Sequence, residues 1–179
     1  MEKYQTTKIG FLGGSFDPVH KGHLIISKIV IKKLKLKKIY WVVTKKNPFK
    51  IKAFYSIEKR IKKIKKFIKK IKGIEVLYIE DKVKSSRSID AIKFILKKEK
   101  LKSLYFIIGS DILLEFDKWK SWKKIVKLTK LVVLSRRGYD KKGIGSTVVK
   151  YLNKKNIIFI KNRPIQISSS LLRNKMKIN

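Results

Sequence analysis

Six short apolar runs, at residues 8–12, 39–43, 74–79, 104–108, 131–135 and 157–160, punctuate a chain otherwise dominated by lysine. Each has the length of a strand and is rich in β-branched or aromatic residues. Polar alternation within them is slight, the pattern of strands covered by helices on both faces. Between the runs the apolar spacing becomes helical. Ser56 caps such a segment with Glu58 in its first turn; Ile57, Ile61, Ile64, Phe67, Ile68 and Ile71 form one face, lysines the other, and Gly73 ends it. Ser88 caps a helix reaching about Glu99, another helical run starts from Leu24, and Ser168, Ser169 and Ser170 open a last one that carries Arg173 one turn inside. The stretch 136–147, with Gly138, Gly143 and Gly145, predicts a mobile surface loop. No internal repeat or linker emerges. The alternation of strands and helices predicts an α/β fold, a doubly wound and mostly parallel open sheet whose ligand crevice lies at the carboxyl ends of the strands.

Length and composition narrow this picture. At 179 residues, 44% of them hydrophobic, the chain is long enough for one core and short for two, and it reads as a single domain over 1–179. Absence of cysteine excludes disulfides, thiolate metal sites and a cysteine nucleophile, and it fits an intracellular compartment. The first residues lack an apolar signal core and no segment approaches the ~20 apolar residues of a membrane span, so the expectation is a cytoplasmic protein. A formal net charge of +36, from 48 Lys plus Arg against 12 Asp plus Glu, invites a nucleic-acid reading. Yet 42 of those cations are lysine and 6 arginine, spread along the chain, whereas readers of bases and phosphates use arginine forks on a localised face. The charge therefore predicts salt-sensitive adhesion and no specific nucleic-acid partner. Lysine and isoleucine in joint excess also point to an A/T-biased genome. The basic amphipathic run after Ser56 reads as a crossover helix packed on the core, with no membrane role; a homo-oligomer is left open.

Both histidines, His20 and His23, fall in Gly-Gly-Ser-Phe-Asp-Pro-Val-His-Lys-Gly-His at positions 13–23, between the first apolar run and a helical one. In that order of strand, glycine turn and helix start, free backbone N–H groups and the helix dipole favour phosphate. Two imidazoles at i and i+3 around Gly22 can direct N–H donors at one anion; helix capping with turn packing is the other reading of the same spacing. A zinc pair would need carboxylates and water, since the chain has no third His and no Cys. The glycines match neither the G-x-G-x-x-G fingerprint nor the phosphate-binding loop with its Gly-Lys pair.

These residues resemble the HxGH nucleotidyltransferase superfamily, whose first loop carries G-x-F-D-P-x-H-x-G-H and whose later signature is I-S-S-(S/T)-x-(I/V/L)-(R/K). Ile167-Ser168-Ser169-Ser170-Leu171-Leu172-Arg173 matches the second, about 145 residues on. The resemblance implies adenylyl transfer, in which an acceptor phosphate attacks the α-phosphorus of ATP and pyrophosphate departs, aided by alignment and charge stabilisation. His20, His23 and Arg173 are then the catalytic residues. Gly13, Gly14, Ser15, Phe16, Gly22, Ile167, Ser168, Ser169 and Ser170 would hold ATP, and magnesium would bridge substrate phosphates without a dedicated protein site. Taken alone, the serine run is an ordinary N-cap.

Over nearly its full length the chain is also similar to bacterial nicotinate-nucleotide adenylyltransferases. Phe106-Ile107-Ile108-Gly109-Ser110-Asp111 and Phe116-Asp117-Lys118-Trp119 resemble that family's I-I-G-(A/Q/S)-D and F-x-x-W block. The resemblance implies that Gly109 and Asp111 lie near the ATP ribose and that Trp119 stacks on the pyridine ring of the mononucleotide. It also places Lys46 or Lys50 of the loop after the second strand, and Arg136 after the fifth, on phosphate. Ser86-Arg87-Ser88 stands where the family has S-Y-T, which recognises the nicotinate carboxylate; arginine here replaces the tyrosine, and Arg87 and Ser88 are the candidates. Without the resemblance, Trp119 and Trp122 read as core residues of one helical stretch, Asp111 as a cap and the lysines as solvated. The implied reaction joins ATP and nicotinate mononucleotide to give deamido-NAD and pyrophosphate in NAD biosynthesis. Nicotinamide mononucleotide or phosphopantetheine as acceptor, and a basic nucleic-acid-binding module, are the alternatives.

Overall fold

The structure is a computed structural model that describes residues 7–45, 53–153, 155–163, 167 and 169–178. In chain order its elements are β1 (Ile9–Gly14), α1 (Lys21–Leu34), β2 (Lys38–Val43), α2 (Ile57–Ile68), β3 (Ile74–Leu77), α3 (Glu80–Val83), α4 (Ser88–Lys98) and β4 (Leu104–Gly109). Two 3-10 turns, Ile112–Leu114 and Phe116–Lys118, lead into α5 (Trp122–Leu128), β5 (Thr129–Leu134), α6 (Asp140–Ile144), α7 (Thr147–Leu152), β6 (Ile157–Ile160) and α8 (Ser169–Ile178). The sheet order is β3-β2-β1-β4-β5-β6, and every neighbouring pair is parallel. The chain winds outward from β1 to β3, then starts again beside β1 at β4. The switch point lies between β1 and β4, and sheets of this kind take ligands beyond the carboxyl edge at that place.

Both faces of the sheet are buried, which is why the strands read as continuous apolar runs. Phe11, Tyr40, Phe106, Leu131 and Val133 pack against Ile92 and Ile95 of α4, Val126 of α5 and Val148 of α7. Leu12, Ile39, Trp41, Ile107 and Val132 face the other way, onto Val30 of α1 and Ile64 and Ile68 of α2. The Ser56 hydroxyl caps α2 by accepting from the Lys59 N–H at 3.3 Å, and the expected isoleucine face is turned inward.

Several local expectations are corrected. Gly13 and Gly14 are the last residues of β1, paired with Val42 and Val43, and the chain turns only afterwards, at Phe16 with φ 46°. The first helix begins at Lys21, ahead of Leu24. Ile79 lies outside β3 as the N-cap of α3, and α2 stops at Ile68, so Gly73, with φ 79°, belongs to the turn into β3. Arg87 occupies the N-cap of α4 and Ser88 is its first helical residue. The stretch 136–147 holds α6 and the start of α7 in place of a loop. Gly143 there serves close packing: a Cβ at this buried position would stand 2.9 Å from the Ser110 carbonyl oxygen.

Candidate active site

The loop after β1 is held by its own imidazoles. His20 is the N-cap of α1, and its Nδ1 accepts the Gly22 N–H at 3.1 Å. His23 Nδ1 accepts the His20 N–H at 3.3 Å, which completes a reciprocal capping box with imidazoles in the roles of Ser and Glu. The rings lie 3.8 Å apart between centroids. A nitrogen that accepts carries no proton, so a neutral ring in either position bears its proton on Nε2. Burial, followed by the positive charge of Arg136, pulls the His20 pKa down from 6.5 to about 4. At neutral pH His20 is thus an uncharged donor. Capping and anion contact, posed as alternatives by the spacing, use different nitrogens of the same rings.

Behind this loop, the buried Phe16 ring stacks on Trp41 at 5.2 Å and lies 4.7 Å from His23, so the part of Phe16 left for a ligand is main chain. Trp41 donates to the Ser27 hydroxyl at 2.8 Å, and Ser27 donates to the His23 carbonyl at 2.9 Å. The second strand and the first helix therefore brace the histidine turn from below.

Across the switch point, Asp111 follows β4 and Arg136 follows β5, and they pair directly: Nη1 to Oδ2 is 2.6 Å. Gly109 makes room for this carboxylate, since a Cβ there would stand 2.4 Å from Asp111 Oδ1. That Oδ1 is buried and has no hydrogen-bond partner. Asp111 precedes the first 3-10 turn without a side-chain cap bond. Trp119 is extended at φ −73°, ψ 138°, and Trp122 begins α5, so the two do not share a helix. The Trp119 ring is partly buried, stacked on Phe116 at 5.1 Å and edge-on to Phe106 at 6.2 Å, with Nε1 buried and unpartnered.

The far end of the chain closes the site. Ser169, buried at the start of α8, donates to the Pro18 carbonyl at 3.0 Å. Arg173 reaches the Asp17 carbonyl through Nη1 at 2.6 Å and the Ser170 hydroxyl through Nη2 at 3.0 Å. Ile167 is exposed. Arg87 and Ser88 lie elsewhere, in a shallow hollow that they line with Gly13, Val43, Glu80 and Ser85 at the ends of β1 and β2. Lys46, Lys50 and Ser168 lie outside the described residues. The structure thus gathers His20, His23, Asp111, Arg136 and Arg173 around the switch point, with Arg87 and Ser88 to one side.

Comparison with known proteins identifies the family. The family model described as cytidylyltransferase-like matches residues 11–175. A Pelagibacter ubique protein named "Probable nicotinate-nucleotide adenylyltransferase" is 47% identical over 167 residues, 93% of this chain and 92% of its own length. The chain belongs to the nicotinate-nucleotide adenylyltransferase family. A family member from Clostridium acetobutylicum with the same printed name is 33% identical over 96% of this chain and 88% of its own. The Plasmodium falciparum nicotinic acid mononucleotide adenylyltransferase, solved in complex with NaAD, shares the fold with a TM-score of 0.75 at 19% identity, covering 94% of this chain and 83% of that one.

Three residues that organise this family member's site escaped the sequence reading. Asp140 accepts from the Ser110 hydroxyl at 2.6 Å and from the Arg136 N–H at 2.9 Å, fixing the backbone that carries Arg136. Asp17 accepts from the N–H groups of Phe54 at 2.6 Å and Tyr55 at 3.0 Å. Arg60, 1% exposed, sits inside the apolar face of α2. Its signal was available: it is the one arginine in a lysine-rich helix and falls three residues after Ile57 and four before Ile64, where a solvated cation has no place.

Proposed function

We propose that this chain transfers the adenylyl group of ATP to nicotinate mononucleotide, forming nicotinate adenine dinucleotide and pyrophosphate. The observation that carries the reading is the meeting of two capped imidazoles and Arg173 at one loop: a neutral N–H donor at His20 and a guanidinium bonded to the carbonyl of Asp17. A phosphate oxygen of the mononucleotide forms the new bond to the α-phosphorus while the bond to the β-phosphate bridging oxygen breaks. No enzyme nucleophile is required. His20, His23 and Arg173 stabilise charge that grows on the transferring and leaving phosphates. Arrival of an anion beside His20 opposes the effects that keep its pKa low, so the donor gains positive character as the substrate binds.

The remaining roles are assigned from the family resemblance, supported by position for the described residues and by sequence alone for Lys46 and Lys50. Gly13, Gly14, Ser15 and Gly22 bring main chain close to ATP, Asp111 takes the ribose, and Ser169 and Ser170 place the α8 amino terminus on phosphate. Arg87 and Ser88 face the pyridine end of the mononucleotide, Trp119 flanks it, and Arg136, Lys46 and Lys50 serve its phosphate. Magnesium fits as a substrate-borne ion. The nearby carboxylates of Asp17 and Asp140 are engaged by main-chain N–H groups, and no group of three His, Cys, Asp or Glu converges among the described residues. When bound, the ion offsets phosphate charge. The whole chain acts as one domain in the cytoplasm; no helix among the described residues is long and apolar enough to cross a membrane.

The test is pyrophosphate release with ATP and magnesium, comparing nicotinate mononucleotide, nicotinamide mononucleotide and phosphopantetheine. Release selective for the first supports the reading. Preference for either of the others would overturn the acceptor assignment, and silence with all three would overturn adenylyl transfer itself.

A further inference from the structure

Arg60 donates four hydrogen bonds, each to a main-chain carbonyl. Nη1 reaches Ser15 at 2.8 Å and Thr44 at 2.7 Å, Nη2 reaches Lys45 at 2.8 Å, and Nε reaches Tyr55 at 3.1 Å. One guanidinium therefore ties together three segments: the loop after β1, the exit of β2 and the approach to α2. Asp17 ties two of these segments in the opposite sense, its carboxylate on the loop after β1 accepting from the Phe54 and Tyr55 N–H groups at the approach to α2. Both side chains are buried, at 1% and 2% exposure. Placing an arginine in an apolar helix face carries a desolvation penalty that only satisfied donors offset. An isoleucine would fill the stripe without that cost, as Ile57 and Ile64 do one turn to either side. A lysine, with one tetrahedral nitrogen, could not span three segments.

We infer that Arg60 and Asp17 form a two-way clasp that positions the histidine loop, and that both are positioning residues for adenylyl transfer. The inference rests on the proposed function for its kinetic consequence. The clasp stands directly upstream of the reacting groups: Ser15 and Asp17 lead into the His20 cap, and the carbonyl of Asp17 is the one that Arg173 grips. Loosening it shifts the imidazoles and the guanidinium relative to each other. Misplacement of that kind is felt in the transition state more than in ground-state binding.

The experiment compares Arg60→Lys, which keeps the charge and loses the fork, with Arg60→Met, which keeps volume and loses every N–H donor. Pyrophosphate release at a temperature where each variant is folded should show kcat lower by at least about tenfold in Arg60→Lys and lower still in Arg60→Met, with the KM for ATP within about threefold. Amide exchange at Phe54 and Tyr55 should quicken while that of β4 and β5 is unchanged. A folded Arg60→Lys with kcat within about twofold of the parent overturns the clasp, even if its melting temperature falls, because a packing role alone predicts that result. Should both Arg60 variants fail to fold, Asp17→Asn opens the clasp from the other side; the same kcat-against-KM split supports the inference, and parental kcat overturns it. If the parent chain itself releases no pyrophosphate, the proposed function falls and exchange alone decides the clasp: quickened exchange at Phe54 and Tyr55 upholds it, unchanged exchange overturns it.

Discussion

At the amino-terminal end of the sheet, Lys38 reaches Glu75 at 3.2 Å and Glu99 at 3.3 Å, and the Tyr40 hydroxyl donates to Glu99. At the carboxyl end, Arg60, Asp17 and Arg173 bond to main chain, and Arg136 with Asp111 is the one ion pair among the described residues there. The first cluster cancels charge against charge: Glu99 sits below its ordinary range because the Tyr40 hydroxyl and Lys38 outweigh the upward push of burial. The second set does something different. A guanidinium bonded to carbonyls fixes the course of a loop while keeping its charge, so the carboxyl edge is braced without being neutralised. One end of the sheet uses ionisable groups to hold strands together, and the other uses them to aim a loop.

If that division is right, substitutions at the two ends should separate turnover from stability. The largest effect is expected at His20. His20→Asn keeps a side-chain acceptor for the Gly22 N–H and so preserves the cap, yet removes the imidazole donor; kcat should fall by about 100-fold while unfolding free energy stays within about 0.5 kcal/mol. His20→Ala should lose the same turnover and about 1 kcal/mol of stability besides. Pyrophosphate release and urea titration on the same preparations measure both; normal turnover in the asparagine variant would dissolve the contrast.

At the opposite end, Glu99→Gln should show the reverse, a loss of about 1–2 kcal/mol in urea unfolding with kcat unchanged. The pH dependence sharpens this further. An unfolded chain protonates His20 below pH 6.5 whereas the folded one resists until about pH 4, so stability falls as pH drops through that window; His20→Asn should flatten this part of the curve. Glu99, lowered in the fold, contributes stability that is present above about pH 4.5 and lost as pH falls through its folded value, so Glu99→Gln should flatten only the more acidic limb. The smallest stability effect belongs to Asp111→Asn: Arg136 is half exposed, so the pair is worth less than about 1 kcal/mol, and added salt should shrink the difference between variant and parent.

Most of the architecture was legible because it is written locally. The six apolar runs are the six strands to within a few residues, and the histidine loop is contiguous, so its chemistry could be named before its geometry was known. What could not be read depends on contacts between distant segments. Nothing near Asp17 in sequence announces that it accepts from Phe54 and Tyr55, and nothing in the 136–147 stretch says that Gly143 is a glycine so that α6 can approach Ser110. Glycine spacing suggests freedom when read along the chain; in the fold that holds at Gly138, in open space with φ 84°, whereas Gly143 marks crowding. The pairing of Asp111 with Arg136 likewise joins two residues that the sequence assigns to different substrates.

The bonds that complete the histidine loop from α8 join residues 151 and 156 positions apart. During synthesis every strand of the sheet leaves the ribosome before Ser169 and Arg173 do, so a nascent chain can assemble its scaffold while the loop still lacks its last two partners. On the role proposed for Arg173, the site stays incomplete until α8 docks on the Pro18 and Asp17 carbonyls, so assembly of the sheet and assembly of the site are separable events.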